Sequence, residues 1–423
     1  MTPDTHSPVN PPPAEPGTAD HRPEAAALLD QLLAPHPPAF ALLHRPQAGP
    51  DTVDIVAGTA FVVDRLADLP LPGDPGAGND ELIALIPYRQ IIERGFVCHD
   101  DRTPLVAIRP ARRATITRTA LLELLPDEPV RLDGGGFDLD DTAYADAVRT
   151  VLDEEIGRGE GANFVLKRSF LATVADYSVR KALAMFRRLL TGETGAYWSF
   201  AVHTGDRTLI GASPELHVGV HDRRVRMNPI SGTYRYPAAG PSVPGVLRFL
   251  GDPKETDELS MVLDEELKMM ARICPQGGRV RGPQLTAMAR VAHTAYHIEG
   301  DSDRDLREIL RETLFAPTVT GSPVENAYRV INRHERRSRG YYSGVLAHFG
   351  RDAGGRRLLD SAIIIRTADI DRYGRLDLGV GSTLVRHSDP AGEVAETRSK
   401  AMGLLSAFSD EPATPAGRSA ARP

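Results

Sequence analysis

Cysteine is scarce in this sequence: Cys98 and Cys274 are the only two among 423 residues. They stand far apart and outside any metal-ligand spacing, which excludes a disulfide framework and a cysteine zinc cluster. Such cysteine usage is typical of a reducing compartment, so we expect a cytoplasmic protein.

Long apolar runs and basic runs are also missing. No stretch approaches the roughly 18 consecutive apolar residues of a membrane span. The net charge is −7, so we expect neither a membrane nor a nucleic-acid partner. The proline-rich N-terminus lacks the apolar core of a signal peptide. We predict disordered tails at 1–22 and 409–423.

Hydrophobic residues make up 41% of the chain, enough for a full core. Short runs rich in valine, isoleucine and phenylalanine, among them Phe96–Cys98, are typical of antiparallel strands, and helical stretches separate them. The pattern predicts an α+β fold with antiparallel sheets packed against helices. Residues 126–139 are turn-like. We therefore predict a seam at 126–140 between an N-terminal subdomain, 23–140, and a catalytic domain, 141–408.

The segment Asp252-Pro253-Lys-Glu-Thr-Asp-Glu258 is typical of a helix start. An aspartate suits the cap and a proline suits the first turn, because neither needs the amides that a helix start leaves unpaired. Glu255 and Glu258 are three residues apart, so their carboxylates share one face of the predicted helix.

A second pair, Glu393 and Glu396, repeats this spacing on a predicted C-terminal helix. Two such pairs around one cavity would supply the hard oxygen ligands that Mg²⁺ prefers. The spacing alone fits two solvated helix faces as well, because acid pairs are common at helix starts.

Short motifs follow one another through the second half of the chain: Gly211–Glu215, Pro229–Thr233, Lys254–Glu258, His293 ahead of Gly300, Pro317–Pro323, Arg339–Gly344, Ala362–Thr367, Gly379–Gly381 and Glu393–Lys400. In this order they resemble the chorismate-utilising enzymes, which include anthranilate, aminodeoxychorismate, isochorismate and salicylate synthases. The resemblance is strong over about 160–405 and weak before it. The loops are most similar to those of the phenazine and enediyne pathway enzymes that make 2-amino-2-deoxyisochorismate, also called 2-amino-4-deoxychorismate.

The resemblance implies a fold and a metal site. The fold is an anthranilate synthase component I-like sandwich of two sheets, with helices outside and the active site in the cleft between the sheets. Glu258 and Glu396 match the direct Mg²⁺ ligands, and Glu255 and Glu393 match residues that hold metal-bound waters. Mg²⁺ would let a site built from glutamates accept the two carboxylates of chorismate.

The resemblance also implies the substrate-binding residues. Arg366 and Lys400 would bind carboxylates as cations, and Tyr342 would donate its hydroxyl to the pyruvyl carboxylate. Five further residues are implied to line the pocket or to offer backbone groups to the substrate: Thr318, Gly321, Ser322, Gly379 and Gly381. Every one of these substrate-binding residues could instead have a structural role: a surface charge for the two cations, a core aromatic for the tyrosine, and a helix cap or a turn for the others.

Three residues carry the implied chemistry. Glu215 matches the general acid that protonates the leaving ring hydroxyl, so we expect its pKa to be raised. His293 matches the histidine tied to pyruvate elimination in anthranilate synthases. Asn163 stands where water-using members carry a catalytic lysine, and an asparagine cannot act as a base, so we expect ammonia as the nucleophile.

Two departures bear on regulation and on the source of ammonia. Tryptophan-regulated relatives carry Leu-Leu-Glu-Ser where this chain reads Leu42-Leu43-His44-Arg45, so tryptophan feedback is not expected. Neither cysteine has the context of a glutaminase nucleophile, so ammonia is expected from solution or from a glutamine amidotransferase partner. A homodimer is left open.

The sequence therefore predicts amination of chorismate at C2 with loss of the C4 hydroxyl. Two alternatives remain open: an anthranilate synthase large subunit, which eliminates pyruvate, and a silent subunit that only binds chorismate or a glutaminase.

Overall fold

The computed structural model describes residues 22–408 apart from 77, 79, 238–239, 288–290 and 353. The helices are α1 (Arg22–Leu32), α2 (Arg118–Leu124), α3 (Asp141–Val151), α4 (Val179–Gly192), α5 (Val243–Leu250), α6 (Pro253–Ile273), α7 (Leu306–Thr313), α8 (Pro317–Thr320), α9 (Val324–His334) and α10 (Pro390–Phe408). The N-terminal strands are β1 (Ala39–His44), β2 (Thr52–Val63), β3 (Leu82–Ile86), β4 (Leu105–Thr117) and β5 (Leu132–Phe137). The later strands are β6 (Asn163–Val174), β7 (Trp198–His203), β8 (Arg207–Ser213), β9 (Gly219–His221), β10 (Arg224–Met227), β11 (Ile230–Arg235), β12 (Gly278–Ala287), β13 (Val291–Asp301), β14 (Gly321–Ser322), β15 (Val345–Arg351), β16 (Arg357–Ile363), β17 (Thr367–Asp371) and β18 (Arg375–Val385).

The strands form the two sheets of a sandwich, and all the pairings are antiparallel. One sheet runs β6–β18–β17–β8–β7–β1–β2, with β5 and β14 on the free edge of β6. The other runs β4–β3–β15–β16–β9–β10–β13, with β11 and β12 also on β13. The long β2–β4 pair joins the two sheets, and its register shifts between Ala57 and Gly58. The strands therefore make one continuous hydrogen-bonded set that folds over on itself.

Alternation along the strands builds three apolar layers. On β1, Phe40 and Leu42 pack under the outer helices, whereas Ala41 and Leu43 face the space between the sheets. A third cluster packs the far side of the second sheet against α6, α7 and α9. This order of helices, sheet, sheet and helices follows from strands that are apolar on both faces.

The predicted α+β sandwich is confirmed, with local corrections. Phe96–Cys98 is not a strand, because it lies in an irregular segment after a short 3₁₀ helix, Tyr88–Arg94. The turn-like stretch 126–139 contains β5, whose glycines concealed its pairing with β6.

The division into domains stays a prediction. The N-terminal strands are hydrogen-bonded into later ones, since β1 pairs with β7 and β3 pairs with β15. The predicted tails, apart from Arg22, lie outside the described residues. In the part of the chain that the structure describes, no helix has the length and apolar character needed to cross a membrane.

Candidate active site

A cavity of about 900 Å³, including its mouth, lies between β6 and β18 of one sheet and β11 and β13 of the other. The first turns of α6 and the start of α10 close its sides. It is lined by most of the residues that the sequence singled out: Glu215, Glu255, Glu258, His293, Thr318, Tyr342, Arg366, Gly379, Gly381, Glu396 and Lys400. Segments far apart in sequence therefore meet here in the predicted way.

Four predicted site residues lie outside the cavity lining: Asn163, Gly321, Ser322 and Glu393. Gly321 brings β14 against β6, where a Cβ would lie 2.4 Å from the Asn163 carbonyl oxygen. The Ser322 hydroxyl donates to Glu265 Oε2 at 3.2 Å. Gly321 and Ser322 therefore support the wall instead of facing the cavity.

Glutamates enter the cavity from two helices. Glu255 and Glu258 come from the first turns of α6, and Gly232, at φ 47°, admits Glu255 because a Cβ there would lie 2.5 Å from its carboxylate. From α10 come Glu396, which lines the cavity, and Glu393, which is buried beside it.

The donor set fits Mg²⁺. Within the described residues, no three histidine, cysteine, aspartate or glutamate side chains converge tightly enough to enclose an ion. Mg²⁺ does not require this, since it binds through one or two carboxylates and keeps waters and substrate oxygens. Carboxylates from α6 and α10 around one cavity would supply those ligands.

Lys400 is tied to this acid set. Its Nζ pairs with Glu396 Oε1 at 2.7 Å and donates to the Gly381 carbonyl at 2.9 Å. Lys400 therefore links α10 to β18. Its predicted role as a substrate clamp would require it to share its protons with Glu396.

Arg168, which the sequence analysis did not single out, anchors α10. Its guanidinium is fully buried, donates to Thr397 Oγ1 at 3.0 Å and to the Val394 carbonyl at 3.2 Å, and stacks 3.9 Å from the Phe137 ring centroid. Its Nη1 pairs with Asp141 at 2.9 Å. The signal available in the sequence was a pair of cations, Lys167 and Arg168, inside a predicted strand.

Replacing Arg168 by methionine should lower the free energy of unfolding by about 3 kcal/mol, because the buried Thr397 hydroxyl and Val394 carbonyl lose hydrogen bonds to a charged donor. Arg398→Met is the matched control, since Arg398 also pairs with Asp141 but is 59% exposed. It should cost less than about 1 kcal/mol. Urea denaturation measures both, and equal effects would contradict the anchoring role.

Glu215 lies at the bottom of the cavity, where it is buried. Burial raises the pKa of its carboxyl to about 8, while the Thr318 hydroxyl and the Ile230 amide oppose this shift. The expected direction is therefore confirmed. A carboxylic acid that keeps its proton at neutral pH can donate it to a leaving group.

His293, on β13, is buried and neutral. Burial, together with the positive charges of Arg366 and Lys400, lowers its pKa to about 3. Its Nδ1 lies 3.0 Å from the Gly232 carbonyl and 3.2 Å from the Thr233 hydroxyl. A proton on Nδ1 would leave Nε2 as an acceptor next to the cavity.

Tyr342 lies flat against β18. A Cβ at Gly379 would be 2.8 Å from its ring, and one at Gly381 would be 2.5 Å from its hydroxyl oxygen. The two glycines thus make room for Tyr342, a reason that the sequence did not reveal. Arg339 is buried behind this wall and donates to the Val319 and Val165 carbonyls at 2.6 and 2.8 Å.

Arg366 stands in the turn between β16 and β17, at φ 53°. Its motif, Ala362–Thr367, begins in β16, but that strand ends at Ile363. The left-handed turn brings the guanidinium into the cavity lining. Its position suits a carboxylate ligand.

The Leu42–Arg45 segment lies on β1 and just after it, away from the cavity. Arg45 pairs with Asp54 at 2.7 Å and lies 5.7 Å from the Trp198 ring centroid. Arg45 stands at the position of the serine in the tryptophan-regulated motif, and His44 stands at the position of its glutamate. The absence of tryptophan feedback stays a prediction.

Comparisons with known proteins agree on one family. A family described as chorismate binding enzyme matches residues 105–406. The phenazine-specific anthranilate synthases of Pseudomonas chlororaphis and Pseudomonas fluorescens are 55% and 54% identical over 92% of this chain. The chain spans 61% and 62% of their lengths. The structure of a menaquinone-specific isochorismate synthase from Escherichia coli matches with a TM-score of 0.72 and 20% identity, over 90% of this chain and 91% of that one.

Proposed function

The chain belongs to the chorismate binding enzyme family, and we propose that it aminates chorismate with Mg²⁺ as cofactor. Ammonia adds at C2, the ring double bonds shift, and the C4 hydroxyl leaves as water. The released product is 2-amino-2-deoxyisochorismate with its enolpyruvyl group intact.

Each cavity residue has a role in this proposal. Glu258 and Glu396 would hold Mg²⁺, with Glu255 and Glu393 around them. Bound Mg²⁺ would supply positive charge that offsets the acids and attracts the ring carboxylate. Arg366 and Tyr342 bind the pyruvyl carboxylate, and Thr318 lies beside the ring. Glu215 gives its proton to the departing C4 hydroxyl.

The side chains of β6 are the main reason to propose ammonia over water as the nucleophile. Asn163 stands where a water-activating base would be, and Val165, the next residue on that face, lines the cavity. Lys167 lies farther along and donates to the Ser338 carbonyl at 3.2 Å, outside the cavity lining. Water needs a base to become a nucleophile, whereas free ammonia does not. Val165, the β6 residue in the cavity lining, is not basic, so this wall favours ammonia.

The second candidate is anthranilate formation, which adds pyruvate elimination. His293 favours it, because its neutral imidazole beside the cavity could accept the ring proton. The named relatives are anthranilate synthases by description. We place it second because these relatives are phenazine-specific.

The two candidate reactions differ in whether they release pyruvate. We expect purified protein with Mg²⁺ and excess ammonium salt to consume chorismate without forming pyruvate, measured by coupling to lactate dehydrogenase. Stoichiometric pyruvate with the fluorescence of anthranilate would overturn the product assignment and leave the amination intact. A glutamine amidotransferase partner remains part of the proposal, and addition of one with glutamine should replace the ammonium salt.

A further inference from the structure

Helix α6 carries a second pair of acids that the proposed function does not use. Glu265 and Glu266 lie two turns beyond Glu258, about 10 Å along the helix axis. Each is only 2% exposed. A buried carboxylate is costly unless a proton or a cation compensates its charge. Lys268 pairs with Glu265, but it is half-exposed and shared with Asp264, so it compensates this pair only in part.

Glu265 points towards the strand that carries Asn163. Its Oε2 accepts from the Ser322 hydroxyl at 3.2 Å and lies 3.3 Å from Nζ of Lys268, a half-exposed side chain. Ser322 stands directly opposite Asn163 in the β14–β6 pair, and directly opposed side chains lie on the same face of a sheet. Asn163 therefore lies next to the group that binds Glu265.

The side chain of Asn163 gives evidence for a ligand that is independent of the two glutamates. Its side chain is 0% exposed, and among the described residues neither Oδ1 nor Nδ2 has a hydrogen-bond partner. Buried polar atoms are almost always satisfied. The amide beside Ser322 therefore has hydrogen-bonding atoms that a small polar ligand would satisfy.

Glu266 extends the cluster towards the general acid. Its Oε2 is buried and has no hydrogen-bond partner among the described residues. Burial, together with the charge of Glu215, raises its pKa well above the usual range. Glu215 and Val165 both line the cavity, so the cluster borders the place where the nucleophile is needed.

We propose that Glu265, Glu266 and Asn163 form an ammonium-binding site behind the cavity wall, which delivers ammonia to the substrate. The inference rests on the proposed amination. Ammonium is a small cation with four N–H donors, and this cluster offers carboxylate, amide and hydroxyl oxygens as acceptors. Ammonium is also the dominant form at neutral pH, so a site that removes its proton serves the reaction.

The proton balance closes within the cluster. Ammonium binding displaces the proton that burial holds on Glu266, because the bound cation stabilises the ionised carboxylate. An N–H bond of ammonium then breaks and its proton passes to this carboxylate, which leaves ammonia to form the C–N bond at C2. Glu215 gives its proton to the C4 hydroxyl as the C–O bond breaks and water leaves. Glu266 then returns a proton to Glu215. The net change is chorismate plus ammonium to the protonated amine plus water.

The test varies ammonium chloride at saturating chorismate and Mg²⁺. Glu265→Gln and Glu266→Gln should each raise the KM for ammonium at least tenfold, with the KM for chorismate unchanged. The matched control is Asp264→Asn, an exposed acid on the same helix that pairs with Lys268 at 2.7 Å, and its ammonium KM should stay within twofold of the wild type.

A second experiment uses the wild-type protein alone. Potassium resembles ammonium in size, so it should compete with ammonium in the wild type, whereas sodium at equal ionic strength should not. Unchanged ammonium KM values in both glutamine variants, or no potassium competition, would overturn the ammonium site while amination by the wild type stands. Failure of the wild type to incorporate nitrogen would instead overturn the proposed function.

Discussion

Glu258→Gln and Glu396→Gln should each lower kcat/KM roughly 100-fold or more, about 2.7 kcal/mol of transition-state stabilisation. Each substitution removes one negative charge and one hard oxygen ligand from the proposed Mg²⁺ site. Both side chains are only partly buried at the cavity, so the fold should tolerate the change. Steady-state kinetics with varied Mg²⁺ measure the loss, and calorimetry with MgCl₂ should show weakened binding.

The control for this prediction is Asp257→Asn. Asp257 is an exposed acid beside Glu258 on α6, and its removal should leave kcat/KM within about twofold while changing the net charge equally. Either glutamate variant retaining more than about a tenth of the activity, a cost below ~1.4 kcal/mol, would refute the metal assignment.

Glu215→Gln should lower kcat by about 10²- to 10⁴-fold, the usual contribution of a positioned acid. Chorismate binding should change little, because proton donation is needed only in the transition state. Glutamine preserves the shape and the acceptor for the Ile230 amide, which lies 3.4 Å from Glu215 Oε1. Rapid-quench turnover and equilibrium binding of chorismate separate the two effects.

The dependence of kcat on pH is a further test of Glu215 as the general acid. A general acid works only while protonated, and the pKa of Glu215 is raised to about 8. With ammonium saturating at each pH, kcat should therefore be full well below pH 8 and should fall as the pH rises through that value. The residual rate of Glu215→Gln should lack this decline. An unchanged kcat in the variant would remove Glu215 from the mechanism.

The sequence predicted the parts of the site that depend on local pattern. The cap-like Asp252-Pro253 start and the three-residue spacing of Glu255 and Glu258 fix a helix face, which the structure places in the cavity lining. The raised pKa of Glu215 followed from the chemistry that its motif implied, and the structure supplies burial as the cause.

What the sequence did not reveal depends on pairing between distant segments. The motif around Ser322 predicted a pocket residue. In the structure β14 pairs with β6, and Ser322 contacts Glu265 instead of the cavity. The reason for Gly379 and Gly381 emerges only when Tyr342 lies across them. Arg168 gave a signal, a cation within a predicted strand, but its partners on α10 follow from the tertiary fold alone.

The nucleophile, ammonia or water, decides the reaction class, and the prediction of ammonia rests on Asn163. The most direct measurement incubates the protein with chorismate, Mg²⁺ and ¹⁵N-labelled ammonium and reads the product by mass spectrometry. We predict a product one mass unit heavier than that formed with ordinary ammonium, still bearing its enolpyruvyl carbons. A product of identical mass in both salts, formed by addition of water, would contradict the account.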